Sequence, residues 1–141
     1  MTINVDNELR QILKTIRKVA SVGVSSNEEK PSYWIFNYLK EHGYQMLPVN
    51  PTAAEILGQK TYPDLASIPQ SIDVVQVFRK SEDVPPVVEQ AIKVGAKIVW
   101  MQKGIINEEA ARMAESAGLK VVMDRCMMET HQRLLGDKFR I

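Results

Sequence analysis

Leu9, Ile12, Leu13 and Ile16 recur at three- and four-residue spacing in a charged stretch. That spacing puts them on one face and predicts an opening amphipathic helix over residues 7–16. The period then changes. Residues 19–24 (VASVGV) form a short, nearly continuous apolar run of strand length. After a polar loop, Ile35, Phe36 and Leu39 mark a second helical face, with Ser32 as the expected N-cap and Gly43 as the stop. Residues 46–49 read as the second strand.

The stretch 51–70 is rich in proline and reads as irregular, with one short helical turn. Residues 72–78 (IDVVQVF) predict a third strand. Pro85 and Pro86 fit the first turn of the next helix, where a missing N–H breaks no intrahelical bond. That helix runs through Val88, Ile92 and Val94 to Gly95. A strand over 97–101 (KIVWM), a helix over 107–117 stopped by Gly118, a strand over 119–123 and a short helix after Asp124 complete the chain.

Strand alternating with helix at this spacing predicts βαβ units, and near-continuous apolar strands predict burial on both faces. The expected architecture is one α/β domain over residues 1–141, a Rossmann-like, doubly wound, mostly parallel five-stranded sheet. Right-handed crossovers gather the strand-to-helix loops at the carboxyl edge of such a sheet. A ligand is expected there, at the topological switch point.

Composition narrows the function. Hydrophobic residues make up 45% and charged residues 25%, and 18 basic against 17 acidic side chains leave a net charge of +1. Neither nucleic acid nor a membrane surface is an expected partner of so balanced a chain. No apolar run exceeds four residues, too short to span a bilayer, and the opening residues lack an export signal's apolar block. One cysteine and two histidines support neither an internal disulfide nor a zinc framework. A cytoplasmic domain is the expectation.

The strand ends in order carry Gly23-Val24-Ser25-Ser26, Asn50-Pro51, Phe78-Arg79-Lys80, Gln102-Lys103-Gly104 and Asp124-Arg125-Cys126. With Lys30, basic residues stand near four of the five. Surface loops commonly carry Lys and Arg, but cations gathered on the functional edge of a near-neutral chain point to a phosphorylated small ligand. In the first loop, Gly23 permits close backbone approach, Ser25 and Ser26 offer hydroxyls, and Lys30-Pro31-Ser32 leads into a helix N-terminus. An ordinary strand–turn–helix shows the same pattern, and the G-x-G-x-x-G fingerprint is absent. The second strand ends in Val49-Asn50-Pro51, without the carboxylate that dinucleotide domains use on the ribose. An NAD(P)-binding redox or sensor domain is the weaker alternative.

Catalytic candidates are few. His42 reads as a helix C-cap or a solvated residue, and His131 belongs to no motif. Cys126 follows Arg125, and a cation beside a thiol favours its reactive anion, although packing is the commoner role. Met123, Met127 and Met128 read as core filler.

The segments VASVGVSSNEEKPSY, GYQMLPVNP, EILGQKTYPDLASIP, VVQVFRKSEDVP, GAKIVWMQKGIINEEAA and VVMDRC, in this order and spacing, resemble the stand-alone CoA-binding proteins of bacteria and archaea. These are similar to the CoA-binding domain of the succinyl-CoA synthetase alpha subunit, and the resemblance covers about residues 16–134. It implies coenzyme A or an acyl-CoA as ligand, held at the carboxyl edge. By resemblance, Gly23, Val24, Ser25, Lys30, Pro31 and Ser32 belong to the phosphate-binding loop, and Val49, Asn50 and Pro51 to the segment beside the adenosine. Phe78 and Arg79 match the strand end that closes over the nucleotide, and Gln102 and Gly104 the loop opposite. Many relatives have Arg where this chain has Lys30, which exchanges a bidentate contact for a point charge. The synthetase's phosphorylated histidine lies in a second domain, and neither His42 nor His131 sits in a matching motif. Binding is therefore implied without independent catalysis, for sensing, carrying or sequestering the coenzyme, alone or beside a catalytic partner. A CoA-dependent thiol enzyme using Cys126 is the other alternative.

Overall fold

The computed structural model describes residues 2–141. Helix α1 (Asp6–Thr15) leads into strand β1 (Lys18–Val22), helix α2 (Pro31–Glu41) and strand β2 (Gln45–Val49). A small antiparallel hairpin, β3 (Glu55–Ile56) with β4 (Gln59–Lys60), then precedes β5 (Val74–Val77) and α3 (Val84–Lys93). Strand β6 (Ile98–Met101), α4 (Glu108–Ser116), β7 (Lys120–Val122) and α5 (Met127–Leu134) finish the chain. The main sheet has the order β2-β1-β5-β6-β7, and every pair is parallel. The expected five-stranded α/β architecture is therefore the observed one.

Alternate strand residues divide the core into two layers, as the pleat requires. Ala20, Val22, Val75, Val77, Val99 and Met101 face α3 and α4, whose Val88, Ala91, Ala110 and Ala114 are fully buried. Val19, Val74, Trp100 and Val122 face the opposite layer of α1, α2 and α5, with Leu9, Leu13, Phe36 and Met127. Burying a side chain of that size contributes about 1.5–3 kcal/mol. The opening helix is fastened to the last one by a two-pronged ion pair, Arg133 to Asp6, with both N···O distances 3.1 Å.

Two local expectations need correction. Residues 51–70 do contain the anticipated short turn, at Leu65–Ser67 with Asp64 Oδ1 accepting from the Ser67 N–H, but they also contain the β3–β4 hairpin. Its two-residue strands are too short for a period to register. The turn has positive φ at both central residues, Leu57 (50°) and Gly58 (76°), where leucine hides the usual Asn-Gly signal. The second concerns Ser32. Helix α2 begins two residues earlier than a serine cap would place it, with Lys30 at the cap and Pro31 in the first turn. The Ser32 hydroxyl is thereby free to accept from the backbone N–H of Ser25, 2.9 Å away, and it ties the first loop to the helix.

Strand order locates the switch point. From β1 the chain crosses outward to β2, then returns to enter β5 on the other side of β1. The backbone pairing continues one step beyond β1, with Gly23 N–H donating to Val49 O at 3.1 Å and Phe78 N–H to Val22 O at 2.8 Å. The loops leaving β1 and β5 therefore diverge at Gly23 and Phe78 and open a crevice at the carboxyl edge.

Candidate functional site

That crevice is a groove of about 420 Å3, open to solvent. Gly23, Ser25, Lys30, Pro31, Ser32, Phe78 and Arg79, seven residues singled out from the sequence, line it together with Ile105. The first loop is held by short bonds: Ser25 Oγ accepts from Asn27 N–H at 3.0 Å, and Asn27 Oδ1 from Glu29 N–H at 2.9 Å. The Lys30 ammonium and the Arg79 guanidinium enter no hydrogen bond or ion pair among the described residues. Two unengaged cations flank a helix N-terminus, whose dipole also favours an anion.

A second cavity, of about 240 Å3, shares the Pro31, Phe78 and Ile105 wall with the groove. Gln102 lies on it and is 3% exposed. Trp34, Ile105 and Met128 also line it and were not foreseen as site residues; Met128 is half-buried there, whereas Met127 is the core residue. Cys126 sits on the same wall, 7% exposed, at the N-cap of α5. Neither histidine lines this cavity, so no imidazole stands beside the thiol as a base.

The other anticipated residues support the groove without lining it. Val49 and Val24 are buried in the two core layers, and Pro51 is exposed on the loop after β2. The Asn50 side chain is spent internally: Nδ2 donates to Val24 O at 2.9 Å, and Oδ1 accepts from the N–H groups of Thr52 and Ala53 at 2.8 and 3.0 Å. It binds the β2 loop to the β1 loop, and no carboxylate stands there for a ribose. Gly104 N–H donates to Asp124 Oδ1 at 2.7 Å, joining the loops after β6 and β7. The gathering of basic residues is also narrower than expected. Arg125 reaches back to Asn4 O at 3.5 Å, and Lys103 pairs with Glu129 at 3.6 Å, which leaves Lys30 and Arg79 as the groove's cations.

His42 is the C-cap of α2, as one expectation had it, but it is buried and not solvated. Its ring stacks on Tyr38 at 3.8 Å and meets the carbonyl oxygens of Tyr38 and Asp137. His131 is fully buried, with Nδ1 2.8 Å from the Tyr38 hydroxyl. Burial, with His42 adding to it, pushes the His131 pKa down to about 4. Both rings belong to packing beneath the C-terminal tail. A larger cavity, about 550 Å3, opens at the amino edge beside Asp73, Lys97 and Lys120. There the Asp73 carboxylate is occupied by the backbone N–H groups of Arg17 and Lys18.

Residues 17–132 match the CoA binding domain family. The chain belongs to that family. It is 38% identical over 124 residues to the uncharacterized protein YneT of Bacillus subtilis (strain 168), covering 88% of this chain and 92% of that one. A hypothetical protein from Pyrococcus horikoshii OT3, of solved structure, superposes with a TM-score of 0.92 at 46% identity, over 96% of this chain and 97% of that one. The ADP-forming acetate–CoA ligase II of Archaeoglobus fulgidus is 32% identical over 101 residues, 70% of this chain but only 15% of the ligase. The chain thus resembles small stand-alone family members along their whole length and the CoA-binding portion of a much larger ligase.

Proposed function

We propose that this chain binds coenzyme A or an acyl-CoA at the carboxyl edge, as a binding, sensing or accessory protein of the cytoplasm with no acyl-CoA-forming activity of its own. The observation that carries the reading is the meeting of Gly23, Ser25, Lys30, Ser32 and Arg79 in one groove at the switch point. The Ser25 and Ser32 hydroxyls, whose hydrogens are not used within the loop, and two cations suit a pyrophosphate and a ribose phosphate. Membership of the CoA binding domain family supplies the ligand class. Against ligase chemistry stands the burial of both histidines away from the groove, where neither can take up a phosphoryl group. Against a dinucleotide stands the internal use of Asn50.

Calorimetric titration with CoA, dephospho-CoA, NAD and NADP tests the reading. Saturable binding of CoA, with NAD and NADP weaker by tenfold or more, is the expected result. Equal or tighter binding of NAD or NADP overturns it.

A further inference from the structure

The 240 Å3 cavity beside the phosphate groove has chemistry that phosphate binding does not use. Its walls are mainly apolar: Trp34, Ile35, Phe78, Ile105 and Met128 line it. Trp34 is 47% exposed on α2, although an aromatic side chain of this size gains most when covered. The charges at its rim, Lys103 and Glu129, lie 3.6 Å apart and offset each other. The cavity therefore presents an apolar lining with no net charge.

One polar group is left over. Gln102 Oε1 accepts from Gln76 Nε2 at 3.2 Å and from Met127 N–H at 3.1 Å. Those two donors fix the orientation of the amide, because the flipped form would set NH2 against both of them. Its Nε2 consequently remains a donor without a partner among the described residues, on a side chain 3% exposed. Because that nitrogen is not sealed from solvent, the cavity reaches it, and a carbonyl oxygen brought there gains a direct hydrogen bond in place of water.

Resting on the coenzyme reading, we propose that this cavity receives the acyl end of an acyl-CoA, with Gln102 Nε2 donating to the thioester carbonyl and Trp34 covering a short uncharged chain. Continuity identifies the occupant, since Pro31, Phe78 and Ile105 form a wall common to the groove and the cavity. A coenzyme anchored by its phosphates in the first brings its acyl end into the second when its pantetheine arm folds back along this wall. At ~30 Å3 per water-sized group, 240 Å3 holds about eight heavy atoms, enough for a thioester and roughly four carbons and too few for a long fatty chain. Burying a free carboxylate in such a lining is unfavourable, so a dicarboxylic acyl group is the poorer ligand.

Calorimetry with CoA, butyryl-CoA, succinyl-CoA and the thioether S-butyl-CoA tests this on the intact chain. Each buried methylene contributes about a fourfold gain, so butyryl-CoA binds about tenfold or more tightly than CoA. S-butyl-CoA keeps the chain but lacks the carbonyl, and it binds several-fold more weakly than butyryl-CoA. Succinyl-CoA falls at least tenfold below butyryl-CoA. Trp34→Ala alters a half-exposed position and cuts the butyryl-CoA to CoA affinity ratio to less than threefold. Trp100 is fully buried, so a change in tryptophan emission with butyryl-CoA but not with CoA reports Trp34. Equal affinities for CoA and butyryl-CoA, or a ratio that Trp34→Ala leaves intact, overturn the acyl site while the coenzyme reading stands. Failure of every one of the four compounds to bind removes both.

Discussion

A Cβ placed on Gly23 would lie 2.5 Å from the carbonyl oxygen of Phe78, and Gly23 has φ +92°. The two residues are the points where β1 and β5 part, so the crevice depends on a position without a side chain. Gly23→Ala combines a left-handed backbone, costing about 1–2 kcal/mol, with a clash against main chain that cannot rotate away. The expected result is a loss of at least about 2 kcal/mol in denaturant unfolding and the loss of CoA binding. Gly43 is the control. Its Cβ would meet Ile141 O at 2.5 Å, with φ +97°, at the C-terminal tail. Gly43→Ala should lower stability and leave CoA affinity unchanged; a parallel loss of affinity would show that Gly23 acts only through stability.

Arg79 is half-buried in the groove and pairs with neither Glu82 nor Asp83, its neighbours at the start of the next helix. With no side-chain partner among the described residues to lose, Arg79→Ala should leave the melting temperature of the free protein within about a degree or two. CoA affinity should fall by roughly 1.5–3 kcal/mol, the scale of hydrogen bonds to charged groups. A loss for CoA but not for dephospho-CoA assigns Arg79 to the ribose phosphate, and a loss for both assigns it to the pyrophosphate. Unchanged affinity with a lower melting point would make it structural.

The buried ring cluster gives a pH dependence. His131 has a pKa of about 4 in the folded protein against 6.5 for the free side chain. Between those values the unfolded chain binds a proton that the native ring does not, so stability rises with pH across the window. It is complete above about pH 6.5, is lost as pH falls, and levels off near 4. At about 1.4 kcal/mol per pH unit the loss is at most about 3.5 kcal/mol. His131→Gln, which keeps a polar group for Tyr38, should flatten the melting-temperature profile between pH 6.5 and 4. A slope as steep as the parent's would assign the effect to another group.

Much of this was legible in the sequence, for reasons that differ by element. The runs around Val75 and Trp100 are buried on both faces, so apolar character alone marks them, and the glycines after α2, α3 and α4 mark where those helices stop. The groove was legible because its residues sit at strand ends and in the strand-to-helix connections up to the start of α2, which the topology gathers at one edge. The β3–β4 hairpin was not, with two residues per strand and leucine in its turn. Trp34, Ile105 and Met128 escaped because an apolar residue lining a cavity has the same helical or loop spacing as one filling the core. The turning of Arg125 toward Asn4, and the engagement of Asn50 with Val24, depend on side-chain directions that spacing does not encode.

The amino edge separates stability from binding. Asp73 Oδ2 accepts from the N–H groups of Arg17 at 2.8 Å and Lys18 at 3.0 Å, and Lys97 lies 3.4 Å from Oδ1. These contacts fasten the chain just before β5 to the beginning of β1, at the end of the sheet opposite the groove. Burial pushes the Asp73 carboxyl up, but the two N–H donors and the Lys97 ammonium outweigh it and leave the pKa lowered from 3.8. A group depressed in the folded state contributes stability that is present above its unfolded pKa and lost as pH falls through the folded value. This acid limb lies below the His131 window, so the two should appear as separate steps in a melting profile. Asp73→Ala removes the acceptor from two N–H groups and should cost about 1–3 kcal/mol at pH 7. It should also abolish the step below pH 4 and leave CoA affinity unchanged, because no residue of the groove touches this end of β1. A loss of CoA affinity in Asp73→Ala comparable to that in Arg79→Ala would mean that the crevice is coupled to the opposite edge of the sheet.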